Sequence, residues 1–258
     1  MSDPETVRVY KLGGPALEDA GLMGPLADEM RRARASARVV IVHGGGRRVE
    51  RLLERLAIES RFVGGRRETS PEAMEVVEMV LSGLVNKDLA SGLTRAGVPA
   101  LGLSGRDGGL VTARLEGGLG RVGVPAAVSP GPLRALWAAG LVPVVSPVAD
   151  GPSGEAINVN ADEAALGLAR ALGAGSLVYL SDVDGVKLRG GLAETLTAGD
   201  AARFIDDGTI SGGMTLKVRV ALEAATSIAE VVIAGKARLT GGFSGTRVGG
   251  RVASVVRA

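Results

Sequence analysis

Residues 40–52 read VIVHGGGRRVERL. A run of β-branched apolar residues stops at three consecutive glycines. An apolar stripe at helical spacing, Val49, Leu52, Leu53 and Leu56, begins just after them. That is a buried strand feeding a helix, the repeating unit of a parallel α/β sheet. Three glycines in a row carry an entropy cost that a plain turn does not require. They allow backbone N–H groups to approach an anion closely, and the helix N-terminus adds partial positive charge. A tight strand-to-helix turn is the plainer reading of the same residues.

The pattern recurs on both sides. VPALGL (98–103), LVPVVSPV (141–148), SLVYLS (176–181) and EVVIA (230–234) are continuously apolar, as strands covered on both faces must be. The first strand begins near Val7 and closes on Tyr10 and Lys11. Helical patterns lie between the strands. Ser70-Pro71 reads as an N-cap with proline at the first helical position. Met74, Val77, Leu81, Leu84, Val85 and Leu89 then recur at helical spacing, and Gly97 stops the run. Asn160 to Glu163 resembles a capping-box start for a helix through Leu172. The Gly- and Arg-rich segment from 106 to 123 reads as hairpins or loops. The alternation predicts a mainly parallel sheet with helices on both faces.

The chain has 258 residues, enough for one large α/β domain or two small lobes. Aromatic residues are only 2%, so the core must be aliphatic. Net charge is +2, and basic residues are interleaved with acidic ones, which is no nucleic-acid footprint. Cysteine is absent, which excludes disulfides, thiolate catalysis and Cys-based zinc sites. MSDPETVRV has no apolar signal core, and no membrane-length apolar run occurs. These features predict a soluble cytoplasmic protein without a membrane or nucleic-acid partner.

Which chemistry remains? There is no G-x-x-x-x-G-K-[ST] loop. Gly118, Gly120 and Gly123 spell G-x-G-x-x-G, but no buried strand precedes them and no clean helix follows. Lys11 lies beside Gly13 and Gly14, and Lys217 lies a few residues after Gly212 and Gly213. Glycine-lined anion pockets with converging lysines suit phosphoryl transfer, which depends mostly on positioning and electrostatic stabilisation. The single histidine, His43, leaves little for a Ser-His or metal-His mechanism, and no metal site is expected. A carboxylate acceptor would need no base, because a pKa of about 4 leaves it ionised at neutral pH. INVNADEAAL offers Asn158 and Asp162 beside a capped helix. YLSDVDGV ends a strand with Asp182, Asp184 and Gly185, where ligands sit in open parallel sheets, although an Asx turn would leave the same trace.

Together these motifs resemble the amino-acid kinase family, and within it the acetylglutamate kinases of arginine biosynthesis. The resemblance rests on KLGG (11–14), VHGGG (42–46), GRRET (65–69), VVEMVLSGLVNKDL (76–89), LGLSGRDGGL (101–110), NVNAD (158–162), LSDVDGV (180–186) and GGM-x-x-K (212–217). It implies an open αβα sandwich. Its N-terminal lobe (1–174) would bind acetylglutamate and dimerise, and its C-terminal lobe (175–258) would bind ATP with Mg2+, within one continuous fold. By similarity, Lys11 and Lys217 stabilise the in-line transition state and Asp162 orients them. Gly13, Gly14, Gly45 and Gly46 would supply phosphate and substrate N–H contacts. Arg67 would grip a substrate carboxylate, and Asn158 the acetamido end. Ser181, Asp182, Val183, Asp184, Gly185 and Val186, with Thr209, Ile210 and Ser211, would lie against the nucleotide.

The chain departs from the family pattern in places. Arg47 stands where a proline usually follows HGGG. Arg66 and Glu68 replace Leu and Val of a GLRVT stretch, which leaves Arg66 and Arg67 as rival carboxylate ligands, with spacing favouring Arg67. Leu216 replaces a frequent proline. The resemblance admits two other readings: a kinase of carrier-linked aminoadipate or glutamate in lysine biosynthesis, and a non-catalytic amino-acid or nucleotide sensor. A complex with a nitrogen-signalling protein is also open. The arginine-inhibited members resemble one another in an added helix before the first strand. Here only MSDPET precedes it, so the expectation is a homodimer without arginine inhibition, built through the apolar face of the helix around Val76 to Leu89.

Overall fold

The structure is a computed structural model that describes residues 6–19, 21–240, 245–249 and 254–255. Most of the N-terminal stretch discussed above, residues 1–5, lies outside the described residues. A ten-stranded sheet organises the chain. Its middle is parallel and runs Glu230–Ala234, Ser176–Leu180, Val7–Leu12, Arg38–His43, Val142–Ser146 and Ala100–Ser104. The strands Gly191–Leu196 and Thr246–Val248 extend one side, and Ala100–Ser104 forms the opposite edge.

Burial on both faces explains the continuous apolar runs. Along Arg38–His43, Val40 and Val42 point into one core, with Leu168 of the Ala161–Ala171 helix and Ala221 of the Gly213–Ala224 helix. Val39 and Ile41 point into the other, with Met30 of Met23–Arg34 and Leu93 of Asn86–Arg95. The result is the expected αβα sandwich. The sheet runs across position 174 without a break, because Val7–Leu12 pairs in parallel with Ser176–Leu180.

One strand reading changes in detail. LVPVVSPV breaks at Pro147 into Val142–Ser146 and Val148–Asp150, since proline cannot donate to the ladder. The second piece closes a small barrel with Val111–Leu115, Val122–Val128 and Ala156–Val159. Gly118 and Gly120, at φ +82° and +71°, form the turn between the barrel's hairpin strands, which accounts for the G-x-G-x-x-G match.

The long helix after Ser70 is not uniform either. Ser70 Oγ accepts from Ala73 N as a cap, but Met79–Val85 is wound as π-helix between Pro71–Glu78 and Asn86–Arg95. Periodicity does not reveal this. The stripe expected to make a dimer face instead packs within the chain: Met74, Val77, Leu81 and Val85 share a core with Val49 and Leu53, and Leu89 joins another. What stays exposed is Met79 (57%) and Leu84 (51%).

Candidate active site

Lys11 is the penultimate residue of the first strand. The ladder continues one residue past that strand, where Gly13 N donates to the Leu180 carbonyl at 2.8 Å. The Gly13 N–H is therefore already engaged, against its expected role as a phosphate donor. The next turn packs closely on the HGGG turn. A Cβ on Gly14 would lie 3.4 Å from Gly46 N and 3.5 Å from Gly45 N, so the KLGG and HGGG turns meet backbone to backbone. Gly45, at φ +154°, would bring a Cβ within 2.8 Å of Leu81 on the π segment.

His43 holds this turn from beneath. It is fully buried, its Nδ1 lies 2.8 Å from the Gly44 carbonyl, and its Nε2 lies 3.0 Å from Asn86 Nδ2. The network assigns Nδ1–H as donor and Nε2 as acceptor. Burial pushes its pKa down to about 4, so the ring is neutral at physiological pH and structural in role. Asn86 Nδ2 also reaches the carbonyls of Val144 (2.9 Å) and Leu103 (3.2 Å). The stretch 76–89 carries part of the resemblance, but its letters show neither this role of Asn86 nor the π winding that leads into it.

Three side chains from three elements converge above. Asp162 sits in the first turn of Ala161–Ala171, which Asn160 caps by accepting from Asp162 N and Glu163 N. That end of a helix favours a carboxylate. Lys11 Nζ is 2.8 Å from Asp162 Oδ1. Lys217 Nζ is 3.1 and 3.0 Å from Oδ1 and Oδ2. All three are buried. Burial alone would raise the Asp162 pKa, but the attraction of Lys11 and Lys217 outweighs it and holds the carboxyl well below its usual value. Burial, with the repulsion of Lys11, lowers Lys217 to about 8 despite Asp162. Two cations share one anion here, so the cluster carries a net positive charge with little water to screen it.

A cavity of about 390 Å³ opens beside the cluster, lined by Lys11, Gly14, Gly44–Gly46, Arg66, Arg67, Asn158 and Gly213 among others. The helices Gly46–Arg55 and Gly213–Ala224 both begin at this cavity, and neither has a side-chain cap. Their leading N–H groups are therefore available to an anion. A second cavity of about 670 Å³ shares Phe62, Gly65 and Gly213 with the first.

The two arginines differ. Arg66 pairs through Nε (3.1 Å) and Nη2 with both oxygens of Glu163. Arg67 is buried, stacked on Phe62 at 4.4 Å, and held by Ser60 Oγ (3.2 Å) and the Gly46 carbonyl (3.3 Å). Its nearest carboxylate is Glu50 at 3.9 Å. Asn158 lies on the cavity wall and donates to Thr69 Oγ1 at 3.0 Å.

The proposed nucleotide residues sit apart from these walls. Ser181 N continues the strand ladder to Ala234, and its hydroxyl donates to Asp182. Gly185 presses on Thr246, whose hydroxyl accepts from Val186 N at 2.8 Å. Asp184 crowds Gly235, and Val183 lies in the same turn. Thr209 N is capped by Asp207 at 2.9 Å, Ile210 is buried, and Ser211 is exposed. Neither cavity described above includes any of them in its lining.

A family model described as "Amino acid kinase family" matches residues 6–235. The chain belongs to the amino acid kinase family. It is similar to a protein named acetylglutamate kinase from Rubrobacter xylanophilus, 45% identical over 250 residues and 96% of both chains. Another protein of that name, from Geobacillus kaustophilus, is 42% identical over 87% of this chain and 88% of the relative. Among solved structures, smu.665 of Streptococcus mutans superposes with a TM-score of 0.83 at 25% identity, covering 95% of this chain and 99% of that one. In this amino acid kinase, the Gly13–Gly14 and Gly44–Gly46 turns and the Lys11–Asp162–Lys217 cluster thus lie within the matched span. Among the described residues, no helix is long and apolar enough to cross a membrane.

Proposed function

We propose that this chain transfers the γ-phosphoryl group of ATP to the side-chain carboxylate of N-acetyl-L-glutamate, giving ADP and N-acetylglutamyl 5-phosphate in arginine biosynthesis. The observation that carries the reading is the buried, net-positive Lys11–Asp162–Lys217 cluster beside two uncapped helix N-termini. A carboxylate oxygen attacks the γ-phosphorus, the new O–P bond forms, and the bond to the β-phosphate oxygen breaks. The acceptor is already ionised, so no base is needed. Lys11 and Lys217 meet charge developing on the transferring oxygens, and Asp162 fixes both ammonium groups. Gly14, Gly45 and Gly46 offer N–H groups, Arg67 the carboxylate grip, and Asn158 a contact for the acetamido end. ATP's adenosine end is assigned to Ser181–Val186 and Thr209–Ser211. Bound with the phosphates, Mg2+ would neutralise charge there. Among the described residues no group of three or more His, Asp or Glu is placed to hold a metal ion.

The carrier-linked reading is less favoured, because the relatives are named acetylglutamate kinases at 39–45% identity. The sensor reading is less favoured because the charged cluster is complete. The test is ADP release with acetylglutamate against free glutamate: rapid release with the acetylated acid only is expected, and equal release with both would reject Asn158 as an acetamido contact. The reading assigns this ATP-consuming reaction to the cytoplasm.

Three expectations follow within this reading. Arg67→Lys keeps a charge but loses the two-pronged fork, so KM for acetylglutamate should rise about tenfold with KM for ATP nearly unchanged. An equal rise for both would reassign Arg67. For Lys217, with a pKa near 8, the ammonium is present below that pH and lost above it. The kcat/KM profile should therefore fall about tenfold per unit on the alkaline side, and Lys217→Arg should flatten that limb. A wild-type profile flat well above pH 8 would contradict the role.

Self-association belongs to the same reading. The π segment that carries exposed Met79 and Leu84 packs against the edge strand Ala100–Ser104, which carries exposed Leu101 (43%). Leu84→Glu should convert a sedimenting dimer to monomer, and an unchanged mass would remove this patch from the interface.

A further inference from the structure

The hairpin that carries Arg67 is short. Phe62–Val63 pairs with Arg66–Arg67, and the turn uses Gly64 and Gly65 at φ +58° and +84°. The ladder is extended by Glu68 N, which donates to the Arg61 carbonyl at 2.8 Å, and the strand then joins the barrel, where Thr69 N donates to the Leu119 carbonyl at 3.0 Å. So short a ladder still leaves its turn end to be positioned by contacts from outside. Two of those contacts lead to the neighbours of the lysine cluster. A Cβ on Gly65 would fall 2.8 Å from Leu216 Cδ2 and 3.2 Å from Leu216 Cβ. The turn therefore rests on the residue immediately before Lys217. From the other side, Arg66 forks onto both oxygens of Glu163, the residue immediately after Asp162. The Arg66 and Glu163 side chains are 25% and 13% exposed, so this pair is shielded from much of the solvent screening that weakens surface ion pairs. Asn160 Nδ2 adds a long contact of 3.5 Å to the Gly65 carbonyl.

We propose that Arg66, Glu163 and Leu216 latch the hairpin to the lysine cluster, so that acid capture by Arg67 and correct placement of Asp162 and Lys217 favour each other. The proposal rests on the reading of Arg67 as the acid's grip and of the cluster as the transfer centre. None of the three residues touches a reacting atom; they are positioning residues. Acid on Arg67 orders the hairpin backbone, which orders Arg66, which through Glu163 steadies the first helical turn holding Asp162. In the other direction, an anion on Lys217 steadies its helix, and Leu216 presents the turn of the hairpin with a fixed seat. Coupling of this kind is reciprocal, so each substrate should lower the other's apparent KM by the same factor while binding remains near equilibrium.

The test measures acetylglutamate KM at low and at saturating ATP, and ATP KM at low and at saturating acid. Wild type should show a ratio of about 5- to 150-fold, the usual range for coupled sites. Glu163→Gln and Leu216→Ala should each bring the ratio towards one, with kcat at saturation of both substrates within about tenfold of wild type. The exchange Arg66→Glu with Glu163→Arg should recover most of the ratio. Leu216→Ala removes no charge and stands alone if Glu163→Gln does not fold. A ratio unchanged in the folded variants, or a wild-type ratio of one, overturns the latch. An active wild type with either outcome removes the latch alone, whereas a wild type forming no acyl phosphate removes the reading beneath it.

Discussion

Lys217→Ala and Lys11→Ala should each lower kcat by about 100- to 1000-fold while changing substrate KM by much less. Each ammonium is buried within about 3 Å of Asp162 and beside an uncapped helix start, where a point charge acts through little water. A bound carboxylate and triphosphate already carry charge in the ground state. The lysines' added value lies in the oxygens of the transferring group as the old O–P bond stretches. Single-turnover kinetics separates this step from binding and product release. Near-wild-type turnover in either variant would make that lysine structural.

Asp162→Asn should have a second large effect, on stability as well as rate. The substitution keeps the shape and removes the carboxylate that pairs with both buried lysines. Removing one partner of a buried ion pair costs about 3–5 kcal/mol. In a chain of this size that lowers Tm by on the order of 10 °C. Millimolar phosphate or sulfate should recover part of the loss, because an anion can then stand between the ammonium groups. Calorimetry with and without sulfate checks this, and a Tm equal to wild type would mean that the lysines do not depend on Asp162.

The sheet was legible because its strands are buried on both faces and therefore spelled as unbroken apolar runs. EVVIA forms a strand over the full Glu230–Ala234, and SLVYL over Ser176–Leu180. The cluster was legible as separate signals, two lysines near glycine pairs and an aspartate in a capped first turn, but only the fold shows them in contact. Other features left no trace in the letters. The π segment at Met79–Val85 has the composition of ordinary helix, and its shift is visible only in where Asn86 lands, on His43 and two strand carbonyls. Glu163 looked like the far end of a capping box, yet its carboxylate turns to Arg66 instead. Local spacing cannot register a partner 97 residues away.

The most direct measurement is trapping of the product with hydroxylamine, which converts an acyl phosphate to a stable hydroxamate. Wild type with ATP and N-acetyl-L-glutamate should yield hydroxamate in step with ADP. Free glutamate should yield little, and Lys217→Ala should lose the product with acetylglutamate bound. ADP release without hydroxamate, or hydroxamate formed equally from unacetylated acids, would contradict phosphoryl transfer to the acetylglutamate carboxylate at this site.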